Sequence, residues 1–136
     1  TMSRDGTVIA TAHGGRTVRV WDAATGLRFP KLFDQFAGIV AVALSPSGDL
    51  VADADSDGIA QVWRVRDGAL IARLTGHGNA LTDIAFSRNG REVVTASEDR
   101  TVRVWNVATS LNTSVLRGHT QRVTFASFSG CAEGQL

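Results

Sequence analysis

A chain of 136 residues with 43% apolar content has material for one globular domain with a real core. Its 14 Lys and Arg against 13 Asp and Glu leave a net charge of +1, which excludes a global pull toward nucleic acid or anionic lipid and makes partner choice local. A single cysteine, Cys131, excludes an intrachain disulfide and a cysteine metal cluster, and the longest aliphatic run, Ile39 to Leu44, is far too short to span a bilayer. With no basic-then-apolar signal pattern at the N-terminus, the expectation is a soluble protein of a reducing, cytoplasmic compartment.

In chain order the predicted elements are all short strands and turns, with no stretch of ten or more residues at helical period. Thr1-Met2-Ser3 reads as the tail of a strand, because it aligns with Ser127-Phe128-Ser129 and puts Met2 at an apolar strand position. Val8 to Phe33 follows, with "TVRVWD" at 17 to 22 as its central strand. The next unit predicts four strands at about Ile39 to Leu44, Leu50 to Ala54, Ile59 to Trp63 and Leu70 to Leu74, with Gly48 and Gly58 at turn positions needing positive φ. The third unit repeats the scheme with Gly90 and with "TVRVWN" at 101 to 106, and Val123 to Phe128 predicts a further first strand.

The strongest signal is self-similarity at a period of 42 residues. Trp21, Trp63 and Trp105 are spaced by it, and so are "SRDG" at 3 to 6, "SPSG" at 45 to 48 and "SRNG" at 87 to 90. "LTGHGNALTDIAFS" at 74 to 87 matches "LRGHTQRVTFASFS" at 116 to 129, whereas "LFDQFAGIVAVALS" at 32 to 45 keeps the apolar pattern and loses the Gly-His. Four antiparallel strands in 42 residues make a small twisted sheet that cannot bury both faces alone, so the units must stack, and radial stacking makes a β-propeller. The units run about 1–36, 37–78 and 79–120, with residues 121–136 opening another.

On these residues the chain resembles WD-repeat β-propeller blades over essentially its whole length, the third unit best: Gly76-His77, Ser87, Gly90, Ser97, Asp99 and Trp105, followed by Asn106 where Asp is usual. The resemblance implies an all-β fold, three four-stranded antiparallel blades per chain, and a structural hydrogen-bonded tetrad of His77, Ser97, Asp99 and Trp105. An indole N–H and an imidazole buried together each need a partner, which such a chain of bonds supplies. The second unit departs from the pattern with Gln35 and Asp55 at the places of His77 and Ser97, keeping Asp57 and Trp63; in the first, His13 and Gly15 stand where Ser and Asp belong. The weaker blades then rely on packing, since burying an aromatic of about 200 Å² at roughly 25 cal/mol/Å² is worth about 5 kcal/mol.

Several chemical readings are weighed against this frame. "DADSDG" at 53 to 58 matches the opening of a calcium loop, but the position that needs a bidentate carboxylate is Arg64 and the flanks are strands, so Asp57 and Gly58 belong to a hairpin turn and no metal is expected. His77, Ser97 and Asp99 have the residue types of a hydrolytic triad, yet in such a blade they face one another with no cleft, so no catalysis and no cofactor is expected. Cys131, in "SGCAEG", has no local base to activate it, and Gly14-Gly15 opens no helix that would cradle a phosphate.

Function then falls to a surface for a protein or peptide partner. The resemblance places a partner-binding top face at Gly38, Val40 and Ser56, at Ala80, Thr82 and Glu98, and at Arg122 and Thr124. Thirteen of the fourteen basic residues are Arg; Arg19 and Arg103 recur in the third strand, where they line blade sides or pair with acids. Three blades cannot close a ring. The first unit lacks its first strand and Val123 to Phe128 is a first strand lacking its blade, so two copies complete a six-bladed ring and three a nine-bladed one, the homodimer being favoured over a piece of a longer propeller. The sequence thus points to a non-catalytic interaction scaffold, the alternatives being a regulatory or recruiting segment of a larger signalling enzyme and a purely structural self-assembling module.

Overall fold

The computed structural model describes residues 1–13, 15–29, 33–34 and 37–129, and among them every regular element is a β-strand. The first sheet holds β1 (Val8–His13), β2 (Thr17–Asp22) and β3 (Phe33–Asp34). The second holds β4 (Ile39–Leu44), β5 (Leu50–Asp55), β6 (Ala60–Arg64) and β7 (Leu70–Leu74). The third holds β8 (Leu81–Phe86), β9 (Glu92–Ser97), β10 (Val102–Asn106) and β11 (Asn112–Leu116). Each sheet is an antiparallel meander in chain order, as expected where every connection is a tight turn.

The turns repeat atom for atom because the same residue types recur in them. Ser3, Ser45 and Ser87 each donate a backbone N–H to the carbonyl five residues on, at 2.8, 2.9 and 2.9 Å, and each hydroxyl accepts the returning N–H of Val8, Leu50 or Glu92 at 3.0 Å. The β-bridge of Met2 with Ile9 is the counterpart of Leu44 with Val51 and of Phe86 with Val93. Thr1-Met2-Ser3 therefore occupies the end of a first-strand position beside β1. One-residue bulges interrupt the β4–β5 register at Val40 and the β8–β9 register at Thr82, re-aiming the start of each first strand.

Alternation along the strands gives each sheet two apolar faces, and the sheets stack through them. Val18, Val20 and Ala10 of the first sheet pack with Leu44, Val51 and Trp63 of the second. Ala52, Ala60 and Val62 of the second pack with Leu81, Val93 and Trp105 of the third. The tryptophan thus faces the preceding sheet and the paired valines the following one. The stack is open at both ends: it is an arc of propeller blades, not a closed ring.

The segment expected as a strand at Val123 to Phe128 differs from expectation, since residues 122–129 have no strand pairing. They nonetheless lie where a next first strand belongs. Val123 is buried with Val94, Ala96 and Val102, with Ala126 and Phe128 packed alongside, and the Val123 and Ala126 amides donate to the Ser97 carbonyl at 3.1 Å and to Asp83 Oδ2 at 3.1 Å. A strand ladder needs a neighbour on the hydrogen-bonding side, and among the described residues none forms a ladder with this segment.

Candidate functional site

Blade 3 contains a continuous hydrogen-bonded chain between the loop before β8, strand β9 and strand β10. Trp105 Nε1 donates to Thr95 Oγ1 at 2.9 Å, Thr95 Oγ1 meets His77 Nε2 at 2.7 Å, and His77 Nδ1 meets Asp99 Oδ2 at 2.7 Å. A hydroxyl that accepts from the indole can donate onward only to an unprotonated Nε2, so the ring is neutral with its proton on Nδ1, directed at the carboxylate. Burial lowers the His77 pKa; the hydrogen bond and charge of Asp99 oppose this and Arg103 reinforces it, leaving the ring below its ordinary value. Burial alone would raise Asp99, but hydrogen bonds from Thr101, His77 and the Gly78 amide outweigh it and hold the carboxyl well below the usual range.

The bridging hydroxyl therefore belongs to Thr95, a correction to the expected role of Ser97. Trp105 pairs across the ladder with Val93, so Thr95 sits diagonally beside it, whereas Ser97 is four residues along β9, a distance of about 13 Å. Ser97 Oγ donates instead to the carbonyls of Asn79 and Ala80 at 3.1 and 2.9 Å and accepts the Asp99 amide at 3.0 Å, anchoring the loop that carries His77. His77, Asp99 and Trp105 are brought together as expected. Ser97 Oγ makes its hydrogen bonds to Asn79, Ala80 and Asp99, while the hydroxyl that meets His77 is that of Thr95.

Moving the hydroxyl to Thr95 also changes the reading of the other blades. The equivalent residues are Asp53 and Thr11, each ten positions before its tryptophan. Trp21 Nε1 donates to Thr11 Oγ1 at 3.1 Å, and Trp63 Nε1 to Asp53 Oδ2 at 2.7 Å. Asp53 is fully buried, and burial pushes its carboxyl up to about 7, the Trp63 bond working against this and the Asp55 charge with it. Asp55 Oδ1 accepts the Asp57 and Ile59 amides at 2.9 Å each, closing the β5–β6 turn. The calcium-like carboxylates thus serve an indole and a turn. Gln35, the expected counterpart of His77, and Cys131 lie outside the described residues, as does Gly14.

Arg103 lies against Gly76, where a Cβ would come within 2.7 Å of its Nη1, so the glycine before His77 makes room for the blade side. Arg19 and Arg103 both have a buried Nε without a hydrogen-bond partner, and neither joins an ion pair among the described residues. They line blade sides, and among the described residues neither pairs with an acid.

The expected top-face residues gather at one end of the sheets, where first strands begin and second strands end. The Ser56 amide donates to the Gly38 carbonyl at 2.8 Å, and the Glu98 amide to the Ala80 carbonyl at 2.9 Å, the same tie in two blades. Val40 is 48% exposed, Thr82 donates its hydroxyl to the Val123 carbonyl, and Arg122 reaches Glu98 at 3.5 Å beside exposed Thr124. That exposed ion pair contributes little to stability, at most about 1 kcal/mol. Both its charges face solvent.

The comparisons agree with this geometry. Among solved structures the chain is similar to "Structure of U3-55K" and to "Crystal structure of RRP9 WD40 repeats", each at TM-score 0.81 and 23% identity over 90% of this chain. It spans 39% and 38% of those chains. Among curated proteins, none matches this chain. The family model described as "WD domain, G-beta repeat" matches residues 1–22, 31–64 and 68–106, so the chain belongs to the WD40 repeat family.

Proposed function

We propose that the chain is a non-catalytic scaffold that binds a protein or peptide partner through its top face, in a cytoplasmic setting consistent with its single cysteine. WD40 repeats are generally protein-interaction scaffolds, and the observation that carries the finer reading is the contrast at this end of the sheets. The backbone tie beneath is constant, Ser56 to Gly38 and Glu98 to Ala80, while the side chains above it change from Val40 in one blade to Thr82 in the next. A rigid repeated base with a varied surface is how loops on a scaffold acquire specificity. Val40 offers an exposed apolar contact on this end, and the Glu98–Arg122 pair presents both signs of charge on it. The ring is completed in this reading by a second copy, giving six blades; three copies would give nine.

Panning a random peptide library against the immobilised chain tests the scaffold reading. Enriched peptides should lose at least tenfold in affinity to Val40→Asp and to Arg122→Glu, with an unchanged circular dichroism spectrum. Peptides indifferent to both substitutions would overturn the assignment. The span of about two fifths of each similar structure favours a second reading, in which these blades are the regulatory or recruiting segment of a larger protein, such as a signalling enzyme.

A further inference from the structure

The turn after the tryptophan breaks the repeat in blade 2. Asp22 and Ala24 stand there in blade 1 and Asn106 and Ala108 in blade 3, but Arg64 and Arg66 in blade 2. In the outer blades the first of these residues closes the turn: Asp22 Oδ1 accepts the Ala24 and Thr25 amides at 2.9 Å each, and Asn106 Oδ1 the Thr109 amide at 3.1 Å. A guanidinium cannot accept, so Asp67 has taken over, its Oδ1 accepting the Ala69 amide at 3.0 Å and its Oδ2 accepting from Arg64 Nη1 at 3.0 Å. The Ala69 amide and, after it, the charges of Arg64 and Arg66 hold the Asp67 carboxyl below its usual value against the opposing effect of burial, so both guanidiniums act on one carboxylate. The turn itself needs neither arginine.

What the two arginines line is a cleft of about 530 Å³ between blades 1 and 2, at the end of the sheets opposite Gly38, Val40 and Ser56. That is the size of a ligand site. Its apolar lining is buried Val8 and half-buried Phe29 from blade 1, with half-buried Leu50 and buried Val65 from blade 2. The Gly48 turn lies directly on Val8, where a Cβ would come within 2.7 Å of the valine Cγ2, and so closes one side. Arg64 and Arg66 against Asp49 leave the lining with a charge of +1. At the junction of blades 2 and 3 the repeat puts Asn106 and Ala108 in place of the arginines and Arg91 in place of Asp49, so this combination belongs to one junction.

We propose that this cleft is a second binding site, which takes a short segment of a partner protein carrying a bulky apolar side chain closely followed by Asp or Glu. The apolar side chain covers Phe29 and Val65. The carboxylate meets Arg66, which joins no ion pair among the described residues, and the N–H groups of Arg64 that Asp67 does not use. Guanidinium forks suit that contact, and Asp67 already makes it within the chain. Asp49 disfavours a run of acids. Thr7, Ser47, Asp49 and Arg66 are exposed, so the occupant stays continuous with solvent, as a side chain on a longer polypeptide does. The site goes beyond the top-face reading and does not depend on it.

Titrating the isotope-labelled chain with end-blocked hexapeptides, read by amide chemical shifts, tests this. The probes are Ser-Gly-Leu-Asp-Gly-Ser, its form with Phe for Leu, and each with Lys in place of Asp. The acidic peptides should shift the amides of Val8, Gly48, Leu50 and Val65 and bind at least tenfold tighter than their Lys forms. Arg64→Asn with Arg66→Ala gives the turn the residues that blade 3 has at these places, so the fold should hold, with an unchanged circular dichroism spectrum. Acidic peptides should lose at least tenfold to that pair of substitutions. Asp67→Asn, whose amide oxygen can still accept from Ala69, should tighten them at least twofold, because Arg64 loses its carboxylate within the chain. No shifts at millimolar peptide, equal binding of the Asp and Lys forms, indifference to the arginine substitutions, or no tightening by Asp67→Asn would each overturn the proposal. Shifts confined to Gly38, Ser56 and Glu98 would assign the peptides to the top face, overturning this site while the scaffold reading stands.

Discussion

Blades 2 and 3 pack the same indole against the same strand position, yet one offers it a carboxyl and the other a hydroxyl. Thr95 accepts from Trp105 and has a proton to pass on, so the chain continues through His77 to Asp99. Asp53 accepts from Trp63 with a fully buried carboxyl whose pKa burial raises to about 7. The two blades should therefore respond to pH in opposite senses, blade 2 through buried Asp53 and blade 3 through buried His77.

The largest effect that tests this contrast is at Asp53. Its folded pKa of about 7 exceeds its ordinary 3.8, so its contribution to stability is full below about pH 4, falls as pH rises, and is gone above about 7. The full loss is on the order of 4 kcal/mol. Urea unfolding at pH 5 and pH 8 should show Asp53→Thr more stable than the parent at pH 8 and the pH dependence reduced; equal pH dependence in both would break the comparison. In blade 3 the sign reverses. Burial holds His77 below 6.5, so stability is present above pH 6.5 and is lost as pH falls below it. The two slopes oppose one another in the parent, and Asp53→Thr should unmask a fall in stability on acidification.

Next in size is Thr95→Val, which keeps the shape and removes the hydroxyl between Trp105 and His77. Two buried polar groups lose a partner, costing about 2–4 kcal/mol in urea unfolding. The same change at the half-exposed Thr11–Trp21 pair should cost under about 1 kcal/mol, and equal costs would refute the difference between the blades. A smaller pair compares the hairpin turns. Gly58 has φ 84° and a Cβ there would meet the Asn79 carbonyl at 2.6 Å, so Gly58→Ala should cost more than about 1 kcal/mol. Ser110 holds φ 60° where the other blades have Gly26 and Gly68, and Ser110→Gly should raise the midpoint of thermal unfolding by a gain of about 0.5–1 kcal/mol.

Repetition made the fold legible. The tryptophan period and the recurring Ser-x-x-Gly turns fix strand number and order, and β4 to β7 fall within a residue of their expected bounds. The interior of the site was less legible because Thr95 and Ser97 are both hydroxyls two residues apart on one strand, facing the same way. Only the pairing of Trp105 with Val93 decides between them. Asp53 was hidden for a related reason: next to Asp55 and Asp57 it reads as part of an acidic loop, and burial, which defines its chemistry, has no local signature. Residues 123–128 have the composition of a strand, but ladder formation also needs a neighbouring chain segment.

The serine turns after Met2, Leu44 and Phe86 bear on how the molecule reaches its fold. Each closes a hairpin by joining residues five apart, so the entropy of loop closure is small and each can form before any blade is complete. Folding then has several equivalent starting points and spreads by nearest-neighbour stacking. Blade 2, flanked on both sides, should retain its amide hydrogens longest in exchange, and the outer blades should open first.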